Sequence, residues 1–247
     1  VDFQKITRNC IECGEPFESF RLLHRSLCYQ CGEKYRKLEE EAAAAELKAA
    51  QEEKYHRLVM AANMPPEWKD TTFETADPEI NPSATRIARQ YAERFSRASG
   101  SLVFFSKGYG TGKTYLAACI ANHVLHKKRL SVTYKKARDL MLEIRRTFNG
   151  KAGGESEADI LNANLSADLL VLDEVGMDTP TEWLETTYWT VFDRRLEWHL
   201  PVVITTNKPL ESKDGSSLGE RIGYGNVSRL LKMCGGRVID MTGPDLR

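Results

Sequence analysis

Apolar and polar positions along this chain fall into distinct regimes. From Glu33 to about Ala62 the residues are mostly Glu, Lys, Ala and Leu, and neither Gly nor Pro occurs between Glu33 and Met64. Alanine and straight-chain residues lose little rotamer freedom in a helix, so this stretch predicts one long helix. Its apolar stripe is thin: Leu38, Ala42, Ala45 and Ala49, interrupted by Glu52. The pattern fits a solvated spacer or a helix that binds a partner. Met64-Pro65-Pro66 ends it, because proline has no N–H to donate and restricts the residue before it.

From about Trp68 onward, short apolar runs alternate with helical periodicity. Leu102–Phe105, Ser131–Tyr134, Leu169–Asp173 and Pro201–Thr205 predict strands, and Ala84–Ser99, Tyr115–Lys127, Ala137–Phe148 and Thr181–Glu197 predict helices. Such alternation implies an α/β fold, a parallel sheet flanked by helices. Lys151–Glu157 is polar and contains glycine, which predicts a surface loop. Three parts follow: residues 1–32, which hold four of the six cysteines, a helical linker over 33–63, and a large domain over 64–247.

Composition changes this picture little. With 247 residues, and 35 basic side chains against 35 acidic ones, the chain carries no net charge, so a nucleic-acid surface would have to be a local patch. No apolar run approaches the ~18 residues that a membrane-spanning helix needs, so no membrane association is expected. Val1–Cys10 is charged and has no apolar stretch, unlike a secretory leader. The expected location is cytoplasmic, where cysteines stay reduced.

Two sites of chemistry stand out. Cys10-x-x-Cys13 and Cys28-x-x-Cys31 are separated by fourteen residues. This is zinc spacing, and four thiolates fill tetrahedral Zn²⁺ completely, which predicts a structural zinc module. Gly14 and Gly32 follow the second cysteine of each pair, where backbone N–H groups are expected to turn toward sulfur. His24 is a conceivable substitute ligand. Cys119 and Cys234 are expected to be packing residues.

The second site begins where strand Leu102–Phe105 runs into Gly108-Tyr109-Gly110-Thr111-Gly112-Lys113-Thr114 and then a helix. Strand, glycine-rich loop and helix form a phosphate cradle: loop N–H groups and the helix N-terminus face the anion. Lys113 is expected at the β- and γ-phosphates of ATP, with the Thr114 hydroxyl on Mg²⁺. Lys107 stands where the strict pattern has glycine. The run Leu169–Asp173, continued by Glu174, places two acids at a strand end: Asp173 to hold Mg²⁺ and Glu174 to polarise the attacking water. Asn207, after the third strand, can orient that water.

In this order the motifs resemble the DnaC-type bacterial helicase loaders and the related IstB-type transposition ATPases, a group of AAA+ proteins. The matching residues are Pro65-Pro66, Asp70–Glu74, the loop, Ala137–Leu140, Leu169–Gly176, Ile204–Asn207, Gly219–Arg221, Ser228–Leu230 and Met241–Asp245. The resemblance implies that Asn207 is sensor 1 and that Arg229 is an arginine finger, with Arg221 as its rival. It implies a homo-oligomer that binds ATP and hydrolyses it to ADP, and single-stranded DNA near Tyr134, Lys135, Lys136, Arg138, Arg145, Arg146 and Lys151. It implies a replicative helicase as partner, gripped by the zinc end, with direct DNA binding by that end as the rival. Two other readings stay open: an ATPase assisting transposition, and an adaptor that binds nucleotide as a switch without hydrolysis.

Overall fold

The computed structural model describes residues 4–21, 23, 26–77, 80–148, 162, 164–210, 212 and 215–246. His24, Lys151 and the expected loop Lys151–Glu157 lie outside the described residues. The chain divides into two compact units, Val1–His56 and Arg57–Arg247.

In the first unit, β1 (Lys5–Asn9) and β2 (Pro16–Phe20) form an antiparallel hairpin. Its described residues bury almost nothing except Cys10 and Ser19. An isolated two-stranded hairpin is marginal in water, so this module depends on something other than an apolar core. Helix α1 (Tyr29–Ala61) contains no buried residue, in keeping with its thin stripe. It begins four residues earlier than the sequence predicts, so Cys31 and Gly32 lie in its first turn.

The second unit is built on a five-stranded, wholly parallel sheet. Its strands are β3 (Leu102–Phe105), β4 (Val132–Lys136), β5 (Leu169–Asp173), β6 (Val202–Thr206) and β7 (Val238–Asp240), in the order β4-β5-β6-β3-β7. Helices cover both faces. On one side Leu102, Phe104, Leu169, Val171 and Val203 pack with α2 (Pro82–Glu93) and α3 (Lys113–Asn122). On the other, Val103, Leu170, Leu172, Val202 and Ile204 pack with α4 (Ala137–Phe148), α5 (Glu182–Glu197), α6 (Leu218–Ile222) and α7 (Tyr224–Cys234). Alternate residues of one strand serve opposite cores, which is why these strands read as unbroken apolar runs. Cys119 and Cys234 are buried packing residues, and burial pushes the Cys119 thiol up to about 12.

The strand order fixes where a ligand can bind. From β3 the chain crosses to β4 at the sheet edge, steps back through β5 and β6, and then passes over β3 to β7. Connections therefore leave the β3–β6 neighbourhood in opposite directions, opening a crevice at the carboxyl ends of those strands.

Candidate functional site

The glycine-rich loop lies in that crevice. Gly112 caps α3 with φ +84°, and a Cβ there would meet Ile80 at 3.0 Å. Gly110 also has positive φ, at +67°. Lys107 has no such backbone requirement, which explains how a lysine stands at that position. Lys113 is almost fully buried, and its Nζ donates to the Gly108 carbonyl at 2.9 Å and to Thr111 Oγ1 at 3.3 Å.

The two halves of the expected site meet directly. Thr114 Oγ1 donates to Asp173 Oδ1 at 2.9 Å, joining the start of α3 to the end of β5. Asp173 is 2% exposed. Its Oδ1 also accepts from the Thr205 hydroxyl of β6, and that same hydroxyl accepts the Glu174 N–H at 2.9 Å. Glu174 adopts φ +59°, a left-handed conformation that L side chains rarely take. Its carboxylate stands 3.8 Å from Lys136 Nζ, both side chains half-exposed.

A cleft of about 690 Å³ is lined by Tyr109, Gly110, Thr111, Gly112, Lys113, Thr114, Asp173, Glu174 and Asn207 together. Its far wall is aromatic and apolar, with Trp68 edge-on to Tyr115 at 6.2 Å, and with Ile80 and Leu246. The sequence did not point to this wall or to Leu246, and it gave Thr205 no role in the site. The Leu246 N–H donates to the Gly110 carbonyl at 3.1 Å, tying segment 241–246 to the loop. Donors, a hydroxyl and a carboxylate converge here, so Thr114 and Asp173 could hold a cation while the loop and Lys113 could bind phosphate.

Arg229 does not line this cleft. Its Nε donates to Asp193 Oδ1 at 3.1 Å, its Nη1 donates to the Gly225 carbonyl at 3.1 Å, and its guanidinium stacks 5.1 Å from the Trp189 ring centre. Arg221 is absent from the cleft lining too. Of the basic cluster around α4, Arg145 stacks on Trp183, Arg138 faces Asp178 at 3.7 Å and Lys135 pairs with Glu143 at 2.7 Å. Lys136 turns into the cleft, and Tyr134 is buried, which removes it from any surface contact with DNA.

In the first unit the Sγ atoms of Cys10, Cys13, Cys28 and Cys31 all lie within 4.8 Å of one another, and Cys13 and Cys28 are 3.8 Å apart. A regular tetrahedron with Zn–S bonds of ~2.3 Å has edges of about 3.8 Å, so the donor set fits zinc. Backbone N–H groups, first that of Cys13, hold the Cys10 thiol down to about 6. The neighbouring Cys28 thiol pushes Cys31 up to about 12, as expected of sulfurs packed too closely to share negative charge without a cation. Backbone N–H groups turn toward sulfur as expected, but those of the two glycines are not among them. The Gly14 and Gly32 N–H groups donate to the carbonyls of Cys10 and Cys28, while those of Cys13, Cys28 and Glu12 serve the Cys10 sulfur. Tight knuckles and the first turn of α1 demand those carbonyl bonds.

Comparison with known proteins agrees with this geometry. The family model for IstB-like ATP-binding proteins matches residues 30–242. The replicative helicase loader DnaC of Escherichia coli strain K12 is 31% identical over 205 residues, covering 81% of this chain and 82% of that protein. The crystal structure of the DnaC helicase loader superposes with TM-score 0.61 at 22% identity, over 73% of this chain and 100% of that one. The replication initiator DnaA, bound to AMPPCP and single-stranded DNA, superposes with TM-score 0.55 at 23% identity, over 72% of this chain and 50% of that one. The parallel five-stranded order, with the loop-bearing strand β3 between β6 and β7, is thus the AAA+ architecture, and this chain belongs to the IstB-like ATP-binding protein family and is related to the helicase loader DnaC.

Proposed function

We propose that this chain is an ATP-hydrolysing loader that delivers a replicative hexameric helicase to single-stranded DNA. The observation that carries the reading is the Thr114–Asp173 hydrogen bond in a cleft shared with Lys113, Glu174 and Asn207, within a chain akin to DnaC along most of its length. Bound magnesium would neutralise charge between the β- and γ-phosphates. Thr114 and Asp173 would hold it, while the 108–112 backbone and Lys113 would cradle the phosphates of ATP or ADP. Glu174 would accept the proton of the attacking water, which Asn207 orients. The Lys136 ion pair stands ready to hold Glu174 back when no nucleotide is present.

Residues 64–247 form the ATPase domain in this reading, 33–63 the linker, and 1–32 a zinc module that grips the helicase. Arg229, remote from its own cleft, would complete a neighbour's site as an arginine finger in a homo-oligomer. Basic residues around α4 would contact DNA phosphates, making binding salt-dependent. Phosphate release with and without single-stranded DNA, combined with ATP-dependent recovery of the host replicative helicase on the tagged protein, tests the proposal. Turnover without any helicase recovered would overturn the loader reading. Transposition, implied by the resemblance to IstB-type ATPases, is the second reading, supported by the match to the IstB-like family model, and stimulation of strand transfer in place of helicase loading would select it. Nucleotide binding without turnover would select the switch-like adaptor.

A further inference from the structure

The cleft has a buried polar neighbour that takes no part in the reading above. Tyr134 of β4 is in register with Val171 of β5, two residues before Asp173, and its ring packs with Val171 in the same core. Its backbone N–H donates to the Ala62 carbonyl at 2.8 Å, which anchors the residue. The side chain is 2% exposed, and the hydroxyl, wholly buried, makes no full hydrogen bond but lies within side-chain reach of the Asp173 carboxylate. Glu174 and Glu67 add further negative charge around the hydroxyl. The two hydroxyl bonds that Asp173 accepts, from Thr114 and Thr205, both fall on Oδ1.

A buried hydroxyl without a full hydrogen bond is rare and unfavourable, and proteins tolerate it where function uses the group. Magnesium retains several waters and is held through one or two carboxylates, whose own hydrogen bonds set their orientation. We propose that Tyr134 is a positioning residue for the magnesium nucleotide: its hydroxyl donates to Asp173 and fixes the carboxylate against the cation. This rests on the magnesium-nucleotide reading of the cleft. It explains why a tyrosine, and not the isosteric phenylalanine, fills an apolar strand position beside the site.

The test is Tyr134→Phe in the full chain, with Mn²⁺ as a paramagnetic probe titrated into the protein–ADP complex. The expected result is a Mn²⁺ midpoint raised about tenfold, with metal-free ADP affinity unchanged and the melting temperature equal or higher. An unchanged Mn²⁺ midpoint would overturn the proposal, as would an equal loss of metal-free ADP affinity, which signals general distortion. Failure of the underlying reading looks different: the parent protein itself would then show no metal-dependent binding of ADP.

Discussion

Glu174 joins strain to chemistry, and the two can be separated by substitution. Its φ of +59° brings Cβ close to the following carbonyl, a conformation that is unfavourable by about 1–2 kcal/mol for an L residue. The Thr205 hydroxyl maintains it by accepting the Glu174 N–H, and that bond survives any side-chain change. Glu174→Ala and Glu174→Gly both remove the carboxylate and its half-exposed contact with Lys136, but only glycine removes Cβ. Glycine also raises the entropy of the unfolded chain, offsetting about 0.4–1 kcal/mol of the relief. The glycine variant should therefore be more stable than the alanine variant by about 0.5–1 kcal/mol, or about 1–4 °C in melting temperature for a domain of this size. ATP turnover should fall at least about 100-fold in both, the usual contribution of a general base. Differential scanning calorimetry and a phosphate-release assay measure the two effects. An alanine variant as stable as the glycine one would refute the strain argument, and turnover surviving in either would remove Glu174 from the chemistry.

Other expectations follow from the same geometry. Gly112→Ala forces Cβ to 3.0 Å from Ile80 at φ +84°, so it should destabilise the ATPase unit by about 2–4 kcal/mol and weaken nucleotide binding, read by thermal melting and fluorescent-nucleotide titration. Cys13→Ser should reduce bound zinc from about one equivalent to less than half and collapse the hairpin signals in NMR spectra, with ADP affinity unchanged. Arg229→Ala should leave nucleotide affinity within about twofold and reduce turnover by about 10³, and an unaffected rate would point to Arg221. Burial holds the His123 and His126 imidazoles below their ordinary value, so the unfolded chain takes up protons first as pH falls. Stability should therefore decline below about pH 6.5, and His123→Gln combined with His126→Gln should lessen the decline between pH 7.5 and 5.5.

Much of the sheet was legible before any coordinates. Leu102–Phe105 and Leu169–Asp173 follow their apolar runs, the second with the site's Asp173 added at its end, because both faces of each strand are buried. Val238–Asp240 escaped notice, since three residues at a sheet edge give no periodicity. Helices α6 and α7 also went unseen, though the Ser217–Glu220 capping box is written in the sequence. The expected helix Ala84–Ser99 stops at Glu93, where the chain turns toward β3.

The sequence by itself located both candidate centres, because phosphate cradles and zinc knuckles are short-range devices whose spacing is local. It determined the strands too, because burial on two faces leaves a compositional mark. Only the tertiary structure decided which groups meet across strands. Thr205 reaches Asp173 because β5 and β6 are neighbours, the aromatic wall of Trp68 and Tyr115 closes the cleft, and Tyr134 lies buried beside Asp173 rather than at a DNA-binding surface. Those meetings depend on strand order, which no local pattern encodes. The placement of Arg229 against Asp193 and Trp189, away from its own cleft, is of the same kind: packing between α5 and α7 sets it.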